Sequence, residues 1–316
     1  MLRFSSYLIG LYILGTLLTL PLAPVNAKET QALPLQEIQE LAQVLELIKK
    51  NHVTTKSDRE LLLAAINGML ASLDNQSRYL TSEELALFTR VATGNQRGKA
   101  TTHGKMINNN ILYIDIDYFH ASTAQVVENI WQTLGAQASA GVLIDLRDNP
   151  GGFVEPAVAL ADLFLQTGLI ATSRGRVPEA SQNYEATAKH LAIAVPIIIL
   201  INDQTASAAE IVAAALQDYK RATLVGTTTY GKGSIQSIMN TKYGAIQLTT
   251  SYYYSPKGSL IHENGLTPDI VLGAKQQASV AEATQIQYHQ QSAKSLDWQL
   301  AWTIMALQQN KFNDAH

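Results

Sequence analysis

Chemistry in this 316-residue chain has to proceed without a thiol, because there is no cysteine. Disulfides, thiolate metal sites and cysteine nucleophiles are therefore excluded. The seven histidines are scattered and no H-E-x-x-H occurs, so the pattern carries no zinc site. Hydroxyl, amine and carboxylate groups remain, and two stretches concentrate them. The first is TASAAEIVAAALQD, Thr205 to Asp218, a good helix former in which Thr205 or Ser207 is a natural N-cap. Taken alone it is an ordinary capped helix. It follows the apolar run VPIIILIND, however, which places the Ser207 hydroxyl at a strand's carboxyl end and a helix N-terminus. Open α/β sheets put their sites there, and the helix dipole and free N–H groups favour a developing oxyanion.

A serine nucleophile needs a base, and the second stretch, TTTYGKGSIQSI, offers Lys232 between two glycines. A lysine acts as a base only when neutral, so its pKa must fall from ~10.4 by burial. Gln236, four residues on, shares a face with Lys232 in a strand or a helical turn, and its carbonyl could hold the amine. The plainer alternative is a Gly-Lys-Gly surface turn. GTTTYGK (Gly226 to Lys232) also fits a phosphate-binding loop, but Gly233 stands where the magnesium-binding Ser or Thr belongs. NPGG (Asn149 to Gly152) reads as a turn whose Gly151 or Gly152 N–H could join that of Ala208 in an oxyanion hole. Asp218 lies about three helical turns past Ser207, too far to be its direct base, while Glu210 sits where a helix start stabilises a carboxylate.

The surrounding elements are those of an α/β fold with a mainly parallel sheet at its core. Ile111 to Phe119, Ala140 to Arg147, VPIIILIND and ATLVG read as strands, and Ala124 to Leu134, Glu155 to Leu165 and the Ser207 stretch as the helices between them. QLTTSYYYS is a more exposed strand, and Leu296 to Gln308 a closing helix with Trp298, Trp302 and Met305 on its apolar side. Upstream, Glu37 to Lys50 and Arg59 to Leu73 have helical periodicity, and Thr81 with Glu84 forms a capping box. Residues 1–27, with Arg3, the apolar run Tyr7 to Leu20 and the ending PLAPVNA, have the layout of a secretory signal peptide. The apolar run is short for a membrane span. A net charge of −3 with scattered charges gives no nucleic-acid footprint.

Five segments in order, LDNQSRYLTSEE, LIDLRDNPGG, DQTASAAEIVAAALQDYKRATLVG, TYGKGSIQ and YYYSPKGSLIHENGLTPDIVL, resemble the carboxy-terminal processing proteases, the S41 serine peptidases. The resemblance covers most of residues 37–272. It implies a ClpP/crotonase-like core, cleavage of proteins or their C-terminal tails through an acyl-enzyme, and no cofactor. Within it Ser207 matches the nucleophile, Lys232 the general base and Gln236 its orienting partner, with Glu210, Asp218 and Thr229 on supporting positions.

Two departures stand out. Ala209 replaces a second serine, and residues 89–110 are too few for the PDZ domain that the family usually inserts there. The expected organisation is a signal peptide (1–27), an N-terminal helical region (28–88), a short linker (89–110), the peptidase core (111–275) and a C-terminal helical region (276–316). The expected protein is exported, in keeping with a bacterial periplasm, and has no integral membrane span after signal cleavage. Its partners are protein or peptide substrates, with an adaptor or a homo-oligomer as open routes of control. The rival reading is a silent scaffold or peptide-binding protein of the same fold.

Overall fold

The computed structural model describes residues 33–92, 101–189, 191, 193–272, 303–304 and 306. The expected signal peptide and most of the expected closing helix, including Trp298, Trp302 and Met305, lie outside them.

The chain divides into two units, the first ending at Leu62. Its described part holds α1 (Leu35–Asn51), which has no buried residue, and the start of α2 (Asp58–Ala71). The second unit is a mixed α/β body with two sheets. Six strands, β2 (Thr102–Ile107), β3 (Ile111–Ile116), β4 (Gly141–Asp145), β7 (Ile197–Ile201), β8 (Thr223–Gly226) and β11 (Ile270–Val271), form one sheet in the order β11-β8-β7-β4-β3-β2. Neighbours from β11 to β3 run parallel, and β2 returns antiparallel to β3.

The apolar runs of β4 and β7 follow from burial on both faces. Val142, Ile144, Ile197, Ile199 and Ile201 pack into the main core, while Leu143, Ile198 and Leu200 pack on the other side with Ile111, Val225, Leu272 and Ala306. The helices α4 (Thr123–Leu134), α5 (Val154–Asp162) and α6 (Ala208–Asp218) connect the strands. All residues of α6 from Ala208 to Leu216 are buried, which explains its alanines. A helix apolar all round is a core helix, and small side chains let its neighbours come close.

The expectation of one mainly parallel sheet describes only half of the architecture. β1 (Arg78–Leu80), β5 (Leu169–Gly175), β6 (Gln182–Glu185), β9 (Ser234–Thr241) and β10 (Gly244–Tyr254) form a second sheet that is antiparallel throughout. Polar β-formers in SIQSIMNT and QLTTSYYY, half exposed along both strands, hide the period-2 signal that would announce it. The stretch 89–110 is not a plain linker either. It carries the end of α3 (Ser82–Ala92) and all of β2, whose Gly104 faces the Ile130 side chain with no room for a Cβ. Only residues 93–101 separate those two elements. Among the described residues no helix is long and apolar enough to cross a membrane.

Candidate active site

Ser207 ends the turn after β7 and precedes α6 with φ 56° and ψ −119°, a left-handed backbone that an L-residue adopts only under strain. Such strained strand-to-helix turns hold a serine hydroxyl clear of its own helix. The hydroxyl makes no capping bond here, and the N–H of Glu210 donates to the Ser207 carbonyl instead (2.9 Å). The preceding Thr205 is the buried anchor: its Oγ1 donates to the Leu146 carbonyl (2.8 Å) and accepts from the Asn202 N–H (2.9 Å).

Glu210 is fully buried and collects four donors. Its Oε2 accepts the N–H groups of Ser207 (2.8 Å) and Lys232 (2.9 Å), and its Oε1 accepts the Thr229 hydroxyl (2.5 Å) and the Gly231 N–H (2.7 Å). Burial nevertheless holds its pKa above the usual carboxylate value, outweighing the four donors. One carboxylate thus ties the serine turn to the lysine loop. Thr229 completes the fastening, since its Oγ1 also accepts the Leu266 N–H (2.7 Å).

Lys232 follows Gly231, at φ 83°, and precedes Gly233, where a Cβ would come within 2.5 Å of the His262 nitrogen. Both glycines are therefore required by close backbone packing. The next residues form β9, a strand, so the phosphate-loop reading, which needs a helix after Gly-Lys, fails. Among the described residues the Lys232 Nζ has no hydrogen-bond or ion-pair partner.

Gln236 sits on β9 opposite Thr249, and its Nε2 donates to Ser234 Oγ (3.0 Å) and Thr249 Oγ1 (3.3 Å) rather than meeting Lys232. Asp218, at the far end of α6, accepts the Lys257 N–H (2.8 Å) and so steadies a distant turn.

The NPGG turn folds over the serine. A Cβ on Gly151, at φ 102°, would lie 2.7 Å from Ser207 Cβ, and one on Gly152 would strike the Phe119 carbonyl. The Gly151 N–H is already bound to Asn149 Oδ1 (2.8 Å), while among the described residues neither Gly152 nor Ala208 has a partner for its N–H.

Asn149 was not singled out from the sequence, yet it is fully buried. Its Nδ2 donates to the Ile116 carbonyl (2.6 Å) and its own carbonyl accepts from Ala206 (2.9 Å), locking the NPGG turn to both neighbours. Its signal was a lone amide between a buried strand and two glycines. His262 was also missed. It stacks on Tyr252, and its buried Nδ1 has no partner among the described residues, at a polar pocket of about 330 Å³. Asp74, Gln76, Ser234, Thr249 and Glu263 line that pocket beside the lysine loop.

Residues 110–272 match the model of peptidase family S41, just over half of the chain. The carboxy-terminal-processing protease of Bartonella bacilliformis is 44% identical over 147 residues, 46% of this chain and 34% of that protein. The carboxyl-terminal-processing protease of Synechocystis sp. is 38% identical over 161 residues, 51% of this chain and 37% of that one. The chain thus spans about a third of the length of these curated relatives. Among solved structures, the photosystem II D1 C-terminal processing protease superposes with a TM-score of 0.58 at 20% identity, covering 73% of this chain and 86% of that one. A lipoprotein from Streptococcus agalactiae reaches 0.52 at 19% identity, covering 78% and 88%. At such identities the two structures speak for the fold.

Proposed function

The chain belongs to peptidase family S41, and from that premise we propose that it is an exported serine endopeptidase of the carboxy-terminal processing type, cutting protein substrates or their tails. The observation that carries the reading is the Glu210 carboxylate, which bonds the main chain of Ser207 and of Lys232 and so holds nucleophile and base segments together. In the proposed reaction Ser207 Oγ attacks the scissile carbonyl carbon while its proton passes to Lys232 Nζ. The N–H groups of Ala208 and Gly152 receive the oxyanion, with Gly151 left to its bond with Asn149. The C–N bond breaks as Lys232 returns the proton to the leaving amine, giving an acyl-serine. Water then adds to the ester, its proton again taken by Lys232, and Ser207 leaves with that proton.

In this reading Gln236 reaches Lys232 only after its amide leaves Ser234 and Thr249, a rearrangement that substrate binding would supply. Glu210 and Thr229 position the site, and Asp218 acts through the 255–259 turn. The two-sheet body around α6 agrees with the ClpP/crotonase-like core that the resemblance implies. Export rests on the leader at residues 1–27, and control by an adaptor or by self-association on the short 93–101 connection.

The test is incubation of the protein with an unfolded casein at pH 6 to 10, beside Ser207→Ala and Lys232→Ala. Cleavage that rises with pH and disappears in both variants is the expected result. The engagement of Gln236 away from Lys232 favours a second reading, a peptide-binding protein without turnover. A folded wild type that binds casein and never cuts it would establish that alternative.

A further inference from the structure

A second cavity, of about 530 Å³, lies at the other end of α6, about 16 Å along the helix from Ser207. Phe164, Leu165, Leu191 and Ile193 give it an apolar floor, and Arg221 is the one charged residue lining it. Arg221 is partly buried, and its side chain spends one donor, Nη2 to the Ile193 carbonyl (2.7 Å). Its remaining guanidinium N–H groups have no partner among the described residues.

Arg147, also partly buried, shows what is missing. Arg147 is gripped by Asp145 at two points, Nε to Oδ1 (2.8 Å) and Nη2 to Oδ2 (2.5 Å). Burial would lower the pKa of Arg147, yet Asp145 holds it above the ordinary arginine value. At Arg221 burial acts unopposed and lowers it. A desolvated cation without an anion is costly, and a ligand carboxylate would remove that cost.

We infer that this cavity is a second binding site, which takes the C-terminal carboxylate of a polypeptide whose last residues are apolar. A single guanidinium with no accompanying lysine suits a monoanion such as a carboxylate, which it can hold bidentately. The apolar floor takes the last side chains. The exposed Gln166 and Thr167 offer partners for a peptide main chain, which an alkyl acid would leave unused. The volume is ample for such a tail. This site stands independently of the peptidase reading, since none of its residues belongs to the proposed catalytic group.

The test uses the full chain carrying Ser207→Ala, so that no probe is cut, and follows anisotropy of a fluorescent decapeptide with three apolar C-terminal residues. The free acid should bind at least tenfold more tightly than the same peptide amidated. Arg221→Gln should bring acid and amide to equal affinity, and Ala194→Trp, which fills the cavity, should weaken both. Equal binding of acid and amide to the protein with Arg221 intact would overturn the proposal, whatever the stability of the Arg221 variant. Unchanged binding in Ala194→Trp would also overturn it, as would binding of dodecanoate without binding of the peptide.

Discussion

Thr81 and Ser207 open helices with the same four-residue pattern, a hydroxyl residue followed three places later by glutamate, and they use it differently. At Thr81 the box is reciprocal: the Thr81 N–H reaches Glu84 Oε2 (2.8 Å) and the Glu84 N–H reaches Thr81 Oγ1 (3.2 Å). Ser57 and Glu60 repeat the arrangement at 2.8 and 3.3 Å. At Ser207 only the glutamate half is made, and the hydroxyl is left out of the helix. The backbone angle decides it, because φ of 56° swings the serine side chain off the capping direction. A capping pattern therefore marks where a helix starts without saying whether the hydroxyl is spent.

The contrast can be broken most directly at the two hydroxyls. Ser207→Ala should reduce casein cleavage by at least about 10⁴-fold. Its unfolding free energy in urea should move by less than about 0.5 kcal/mol, as for a surface change that removes no cap. A loss of stability as large as that of a removed cap would mean that the hydroxyl was structural after all. Glu210→Ala strands four donors and should cost roughly 3 kcal/mol or more together with activity, whereas Glu84→Ala, on the surface, should cost less. Thr81→Ala should cost about 1 kcal/mol, the usual worth of an N-cap, and leave proteolysis unchanged. Ser207→Gly should abolish cleavage while raising stability by up to about 1 kcal/mol, because glycine accepts the left-handed angle without strain.

The smallest effect concerns pH, and its sign is opposite in the two boxes. The Thr81 N–H and hydroxyl hold the Glu84 pKa below 4.5, so its contribution is present above that pH and lost as pH falls through the folded value. Burial holds that of Glu210 above 4.5, so its contribution is complete below 4.5 and lost as pH rises through the folded value. Urea midpoints across the acid and neutral range should lose the acid-side decline in Glu84→Gln and the decline with rising pH in Glu210→Gln. Matching profiles for the two variants would show that burial does not separate the boxes.

What the sequence made legible follows from the same distinction. The buried strands β4, β7 and β8 announce themselves as apolar runs, and α6 as an alanine-rich helix, because their burial leaves no other composition possible. The antiparallel sheet was hidden, since its long β10 is half exposed and its partners are far away in the chain. Within the site, Ser207, Lys232, Glu210 and Thr229 carry chemical types that can be recognised singly, and the structure gathers their segments around one carboxylate. Asn149 and His262 matter through what surrounds them, and a one-dimensional pattern records no surroundings. Gln236 was placed by strand periodicity on the face of Lys232, but its cross-strand neighbour Thr249 claims the amide.

The left-handed angle at Ser207 has an evolutionary side as well. Every generation in which the hydroxyl performs no task leaves a strained residue open to replacement by glycine, with stability favouring the change. A lineage of this fold that had abandoned bond cleavage should drift to glycine at this position while keeping Glu210, whose bonds to the main chain would still be needed. The identity of the residue at that one turn is thus a running record of whether selection still acts on the chemistry.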